Sequence, residues 1–232
     1  MANVQGKVAL ITGAKGGLGA AVTNAFLNAG ATVAGVSRSM RDSDFDNSRF
    51  YAVPAELTSS AAADVVLDAV MERSGRVDVL VHLVGGFAGG SAVVDTDDSV
   101  LEEMLGVNLK SAFFIAKVAL RQMRKQQSGH VLMVGSRAAV EQNANVGAYS
   151  ASKAALVALT RAIAAENVAF GISANIVMPG TMDTPMNRKA MPGADVTRWV
   201  QTEQVAHLLV SLASDGLSQV TGAAIPVYGR DL

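Results

Sequence analysis

Short, nearly unbroken apolar runs alternate with longer stretches of helical periodicity, and that alternation constrains the fold more than any other feature of the chain. The runs are KVALIT (7–12), ATVAGVS (31–37), RFYAVPA (49–55), RVDVLVHLV (76–84), GHVLMVGS (129–136), GISANIVMPG (171–180) and AAIPVYG (223–229). A strand with one wetted face alternates polar and apolar residues. These do not, so both faces of each are expected to be covered. Helical segments separate most of them: from the glycines near 17 to Gly30, then about 59–73, 104–126, 147–163 and 202–214. Strands joined by helices run parallel, with right-handed crossovers. The expectation is an α/β chain: a single Rossmann-type doubly wound parallel sheet of about seven strands, with helices on both faces, in one domain over 1–232. The most irregular segment, Pro179 to Trp199, follows the sixth strand. Such sheets bind ligands beyond their carboxyl strand ends, so residues around 180–200 read as a substrate lid. Thr184, Met186, Met191 and Trp199 are its candidate walls.

Composition narrows the function classes. With 50% hydrophobic and 17% charged residues, a net charge of -1 and no basic run, nucleic acid is not an expected partner. Cysteine is absent, so no thiolate site or disulfide forms, and no metal is expected. The chain has no apolar run of about 18 residues, the length of a membrane span. Its first residues, MANVQGKVALITG, show no basic-then-apolar leader pattern. A cytoplasmic protein with a small-molecule substrate is the expectation.

The stretch ITGAKGGLGAAV lies where a strand turns into a helix. Gly13 suits the tight turn, Gly17 lets backbone approach a pyrophosphate, and Gly19 permits close helix–strand packing, with Leu18 between them. The helix N-terminus adds amides and a positive dipole end. At the end of the second strand stand Ser37 and Arg38, where a carboxylate would hold the ribose hydroxyls of NAD. No carboxylate follows there to repel a 2′-phosphate, Arg38 can grip one, and Lys15 in the glycine loop can add to that grip. NADP(H) is the expected cofactor, with NAD(H) the second choice.

GAYSASKAALVALTRAI (147–163) reads as a helix with apolar positions at Leu156, Leu159 and Ile163. Tyr149 and Lys153 sit four residues apart, hence on one face. The glycine pattern TGxxxGxG, this YxxxK pair, the Ser before it and the Pro-Gly turn after it together resemble the short-chain dehydrogenase/reductase family over essentially the whole chain. The resemblance implies a catalytic set of Asn108, Ser136, Tyr149 and Lys153. Tyr149 would be the acid/base. Lys153 would lower its pKa and hold the nicotinamide ribose, Ser136 would bond the substrate oxygen, and Asn108 would support a proton relay through water. A phenol of pKa about 10 needs such help to work near neutral pH. The resemblance also implies nicotinamide contacts at Pro179, Gly180, Thr181 and Thr184.

Two segments depart from the family pattern. Where the family has Asn-Asn-Ala-Gly, this chain has His82, Leu83, Val84 and Gly85, of which Val84 and Gly85 remain candidate cofactor contacts. His82 reads as a packed polar residue. Glu56 and Leu57 stand where the family places its adenine contact. HLVGGFAGGSA (82–92) and MDTPMNRKAMPGAD (182–195) look like segments of dihydropteridine reductases, a branch of the same family. The leading expectation is an NADP(H)-dependent oxidoreductase that reduces a carbonyl or quinonoid substrate. A dihydropteridine reductase-like enzyme is one alternative, and a non-catalytic NADP-binding sensor or scaffold is another. Family members are commonly homodimers or homotetramers through the helices after the fourth and fifth strands. Ala112, Ala116, Ala154 and Ala155 on those helices would permit close approach.

Overall fold

Every strand of the computed structural model, which describes residues 4–141 and 143–230, enters one parallel sheet. In chain order the elements are β1 (Val8–Thr12), α1 (Gly17–Asn28), β2 (Thr32–Ser37), β3 (Phe50–Pro54), α2 (Ser60–Ser74), β4 (Val79–His82), α3 (Asp98–Leu105), α4 (Ser111–Gln126), β5 (Gly129–Val134), α5 (Gly147–Asn167), β6 (Ile172–Pro179), α6 (Pro185–Ala190), α7 (Thr202–Leu212) and β7 (Ala224–Val227). The seven strands lie in the order β3-β2-β1-β4-β5-β6-β7. In register, Leu10 of β1 faces Ala34 of β2 on one side and Leu80 of β4 on the other.

The absence of polar alternation in the strands has its cause in two cores. Successive side chains of a strand point to opposite faces. Val8 and Leu10 pack with α2, α4 and α5, whereas Ala9 and Ile11 pack with α1 and α7. Helices therefore cover both faces. The helix expected to begin near 104 opens earlier, at Asp98, where Asp97 accepts the Ser99 amide as an N-cap. A π-helical turn, Gly106–Lys110, separates it from α4. Ala112, expected on an outward contact face, is buried against the sheet instead, whereas Ala116, also buried, lines the groove between α4 and α5. Ala154 is exposed. Among the described residues no helix is long and apolar enough to cross a membrane, and no cluster of metal-binding side chains occurs.

The amino-end edge of the sheet carries a pH-sensitive contact. Buried His130 bonds Ser173 at 2.9 Å and receives the Lys7 ammonium at 3.1 Å, while Lys7 also bonds Asp215 and the Ala213 carbonyl. Burial first, then Lys7, pushes its pKa down from 6.5 to about 4, against the opposing pull of Asp215 and Asp78. An unfolded chain therefore takes up the proton before the folded one does. Stability is retained above pH 6.5 and is lost as the pH falls toward 4, by roughly 3 kcal/mol if this group acts alone. Urea midpoints across that window are expected to fall more steeply in the parent than in His130→Asn. Parallel slopes would contradict the assignment.

Candidate active site

The strand order reverses between β1 and β4, which opens a crevice at their carboxyl ends. Gly13 turns there with φ +72°, and a Cβ on it would lie 3.0 Å from the Leu83 carbonyl carbon. A Cβ on Gly19 would lie 2.1 Å from the Gly13 carbonyl oxygen. Gly16 caps α1 with no side-chain bond, and no acidic residue occupies the first turn, so the positive helix end meets no carboxylate of its own. Leu18 is buried in the core and anchors that turn. The result is a backbone-lined cradle that fits a pyrophosphate. A Cβ on Gly17 would meet Thr184 at 3.1 Å, so the start of the lid already lies against the glycine loop.

The adenosine side differs from the sequence expectation in one respect: carboxylates do reach it. Ser37 ends β2, and exposed Arg38 pairs with Glu56 at 3.6 Å. Lys15 is bound to both oxygens of Asp44 at 2.8 and 2.9 Å and to the Ser39 carbonyl. The Lys15 bond is the largest cause holding the Asp44 pKa below its usual value. Asp44 arrives on a single 3-10 turn, Asp42–Asp44, after β2. Leu57 is buried, so its side chain packs in the core.

The four residues of the expected catalytic set converge beyond β4 and β5. Ser136 accepts the Ala138 amide at 3.2 Å, and its hydroxyl lies near that of Tyr149. Burial raises the Tyr149 pKa and the nearby Ser136 hydroxyl lowers it. Lys153 is buried, donates to the Val134 carbonyl at 3.2 Å, and lies 6.0 Å from the Tyr149 ring centre. Burial brings its pKa down to about 8. The expected lowering of the Tyr149 pKa by Lys153 is thus not among the causes acting on Tyr149 here. A Cβ on Gly85 would stand 2.9 Å from Asn108 Oδ1 and 3.1 Å from Lys153 Nζ, so only glycine lets these groups flank the chain after Val84. Asn108 is buried. Its amide donates to the Gly86 carbonyl at 3.1 Å and to Ser152 at 3.0 Å, and its oxygen accepts the Gly86 amide at 2.9 Å. That side chain is a clamp on the β4 loop.

Sequence reasoning missed Phe87, whose ring meets Tyr149 edge-on at 5.0 Å. A lone aromatic inside GGFAGG was the available signal. The segment expected as a lid, around 180–200, is more ordered than it reads. Thr184 N-caps α6 through the Asn187 amide, Pro185 occupies the first helical turn, and Met182 bridges to Val200. Trp199 is buried and packs at its base, whereas Met186 is 80% exposed and Met191 39%. Gly180 donates to the Val227 carbonyl and Thr181 accepts the Val200 amide, which fixes the chain after Pro179 beside the crevice.

The comparisons agree with this geometry. The family model described as "short chain dehydrogenase" matches residues 7–195. The chain is 31% identical to the 3-oxoacyl-[acyl-carrier-protein] reductase of Thermotoga maritima, covering 97% of this chain and 98% of that one. It is 29% identical to the enzyme of the same name from Salmonella typhimurium, covering 97% of each. A 3-ketoacyl-(acyl-carrier-protein) reductase from Brucella melitensis, solved with NADH, superposes with a TM-score of 0.88 at 25% identity, covering 98% of this chain and 99% of that one. With its sheet order, its glycine cradle and its Ser, Tyr and Lys in one crevice, the chain belongs to the short-chain dehydrogenase/reductase family and is an oxidoreductase.

Proposed function

We propose that this protein, acting as one dinucleotide-binding and catalytic domain, is an NADP(H)-dependent reductase of a carbonyl substrate, with a 3-oxoacyl thioester as the substrate class favoured by its relatives. The observation that carries the reading is the aim of two hydroxyls. Ser136, anchored by the Ala138 amide, and Tyr149 sit side by side in the crevice, close enough for the Ser136 hydroxyl to lower the Tyr149 pKa. A substrate oxygen between them receives the Ser136 hydrogen bond and the Tyr149 proton. When bound, a reduced nicotinamide supplies the hydride, which the carbonyl carbon gains. Lys153 lies buried 6.0 Å from the phenol ring centre, placed to hold the nicotinamide ribose. Asn108 and Gly85 keep the β4 loop in place beneath the ring. Gly13, Gly17 and Gly19 cradle the pyrophosphate. Pro179, Gly180, Thr181 and Thr184 hold the carboxamide end. NADPH oxidation with acetoacetyl-CoA, alongside quinonoid dihydropterin, tests the substrate class. Turnover of the pterin alone would move the assignment to a pteridine reductase.

Preference for NADP(H) rests on Arg38 and Lys15. A 2′-phosphate entering between them competes with Asp44 for the Lys15 ammonium. Arg38→Ala is expected to weaken NADPH about tenfold with NADH nearly unchanged, the loss of about one charge-assisted bond. Asp44→Asn is expected to tighten NADPH alone. Titration calorimetry with both nucleotides checks this, and equal NADH and NADPH affinities insensitive to both changes would contradict it.

A second copy of the chain is the partner proposed for α4 and α5. A groove of about 290 Å³ runs between these helices, lined by Phe113, Leu120, Leu159 and Ile163, with Arg121 and Glu166 at its rim. Phe113 is 49% exposed there. Small-angle scattering should give the mass of a dimer or tetramer, and a monomeric mass would remove this assembly.

A further inference from the structure

His82 stands at the end of β4, fully buried, beside a catalytic set that does not include it. Its two ring nitrogens have different partners: Nδ1 lies 2.9 Å from Thr12 Oγ1, and Nε2 lies 3.3 Å from Ser111 Oγ. The partners fix the tautomer. Ser111 gives its only hydroxyl hydrogen to the Val107 carbonyl at 2.7 Å, so it accepts from His82. Nε2 therefore carries the proton. Nδ1 accepts from Thr12, whose oxygen in turn accepts the Leu83 amide at 3.3 Å. A directed chain of hydrogen bonds runs from the β4 loop through Thr12, His82 and Ser111 to the carbonyl of Val107.

That carbonyl lies within the π-helical turn. In an α-helix it would accept the amide of Ser111, four residues on. Here the Ser111 amide goes to Gly106, five residues back, and the Ser111 hydroxyl serves Val107 in its place. The same hydroxyl thus compensates the irregular turn and is held by the imidazole. The turn matters because Asn108 sits in it. One residue of helical register is roughly 100° of rotation. A turn that relaxed to regular α-helix would swing the Asn108 amide away from Gly86 and Ser152, the contacts it makes now. Asn108 and Lys153 also share the space beside Gly85, so the displacement would reach the catalytic ammonium.

We propose that His82 is a positioning residue: bonded to Thr12 and Ser111, it holds the π-helical turn in the register that locks Asn108 onto the β4 loop. Its link to turnover rests on the reductase reading above, but its structural content does not. The test uses the full chain with three variants. Ser111→Ala removes the hydroxyl, Ser111→Thr keeps one, and His82→Leu removes the ring. Nitrogen NMR of the parent is expected to show His82 neutral and protonated on Nε2. Amide exchange at Gly86, whose hydrogen Asn108 accepts, is expected to accelerate at least tenfold in Ser111→Ala and in His82→Leu, and to recover in Ser111→Thr. With acetoacetyl-CoA, kcat is expected to fall at least tenfold in Ser111→Ala while the KM for NADPH holds. An Nδ1–H tautomer, or Gly86 exchange unchanged in Ser111→Ala, overturns the proposal. If His82→Leu does not fold, Ser111→Ala against Ser111→Thr decides alone. If tautomer and exchange come out as expected but the parent turns over no 3-oxo thioester, the positioning role stands and the substrate reading fails.

Discussion

Tyr149→Phe is expected to lower kcat by about two to four orders of magnitude while NADPH still binds, because the change removes one oxygen and with it the proposed general acid. The phenylalanine ring keeps the edge contact with Phe87, so the wall of the pocket survives. Only one oxygen is lost from the pocket wall, so stability is expected to change by about 1 kcal/mol or less. Rate and fold therefore separate in this variant. Stopped-flow NADPH oxidation and a melting curve measured side by side check both halves. A rate within threefold of the parent would mean that the proton comes from another group.

Gly19→Ala is the second large effect. The added methyl falls 2.1 Å from the Gly13 carbonyl oxygen and 2.7 Å from the Ala14 carbonyl carbon. Both are backbone atoms of the loop that cradles the phosphates, and neither can swing aside as a side chain does. The loop has to open or the helix has to withdraw. Overpacking of this kind costs about 1–3 kcal/mol, which lowers the melting temperature of a chain this long by several degrees. Nucleotide binding is expected to be lost with it. Gly216→Ala, remote from the crevice, is the control, since a Cβ there meets nothing within 4 Å. Calorimetry that finds NADPH bound to Gly19→Ala with parental affinity would contradict the cradle.

The central strands were legible because β1, β4, β5 and β6 are buried along their whole length and so are written in unbroken apolar runs, whereas the edge strand β7 is only half-buried. The glycine loop and the Tyr149–Lys153 pair were legible because local spacing fixes their geometry: a strand–turn–helix for one, a single helical face for the other. Less local features were not. Asp44 meets Lys15 across 29 residues of sequence, and no pattern within either segment announces it. The beginning of α3 was readable in principle, since Asp97 is an ordinary N-cap, but DDSVLEEML has only a narrow apolar stripe. The helix inside the lid carried a Thr-Pro start at Thr184 and Pro185 that the surrounding Met and Gly obscured. His82 illustrates the deeper limit. As a residue type it reads as packing. Its arrangement between Thr12 and Ser111 appears only when β1, β4 and α4 are brought together.

Isotope transfer reads the proposed hydride step itself. NADPH deuterated on the reactive face of its ring is mixed with acetoacetyl-CoA and the protein, and the product is read by mass spectrometry. One deuterium is expected on the carbon that becomes the alcohol, formed by the parent and not by Tyr149→Phe. NADPH that binds and leaves its deuterium untouched, with ketone and quinonoid acceptors alike, would make the protein a nucleotide-binding module and contradict the account.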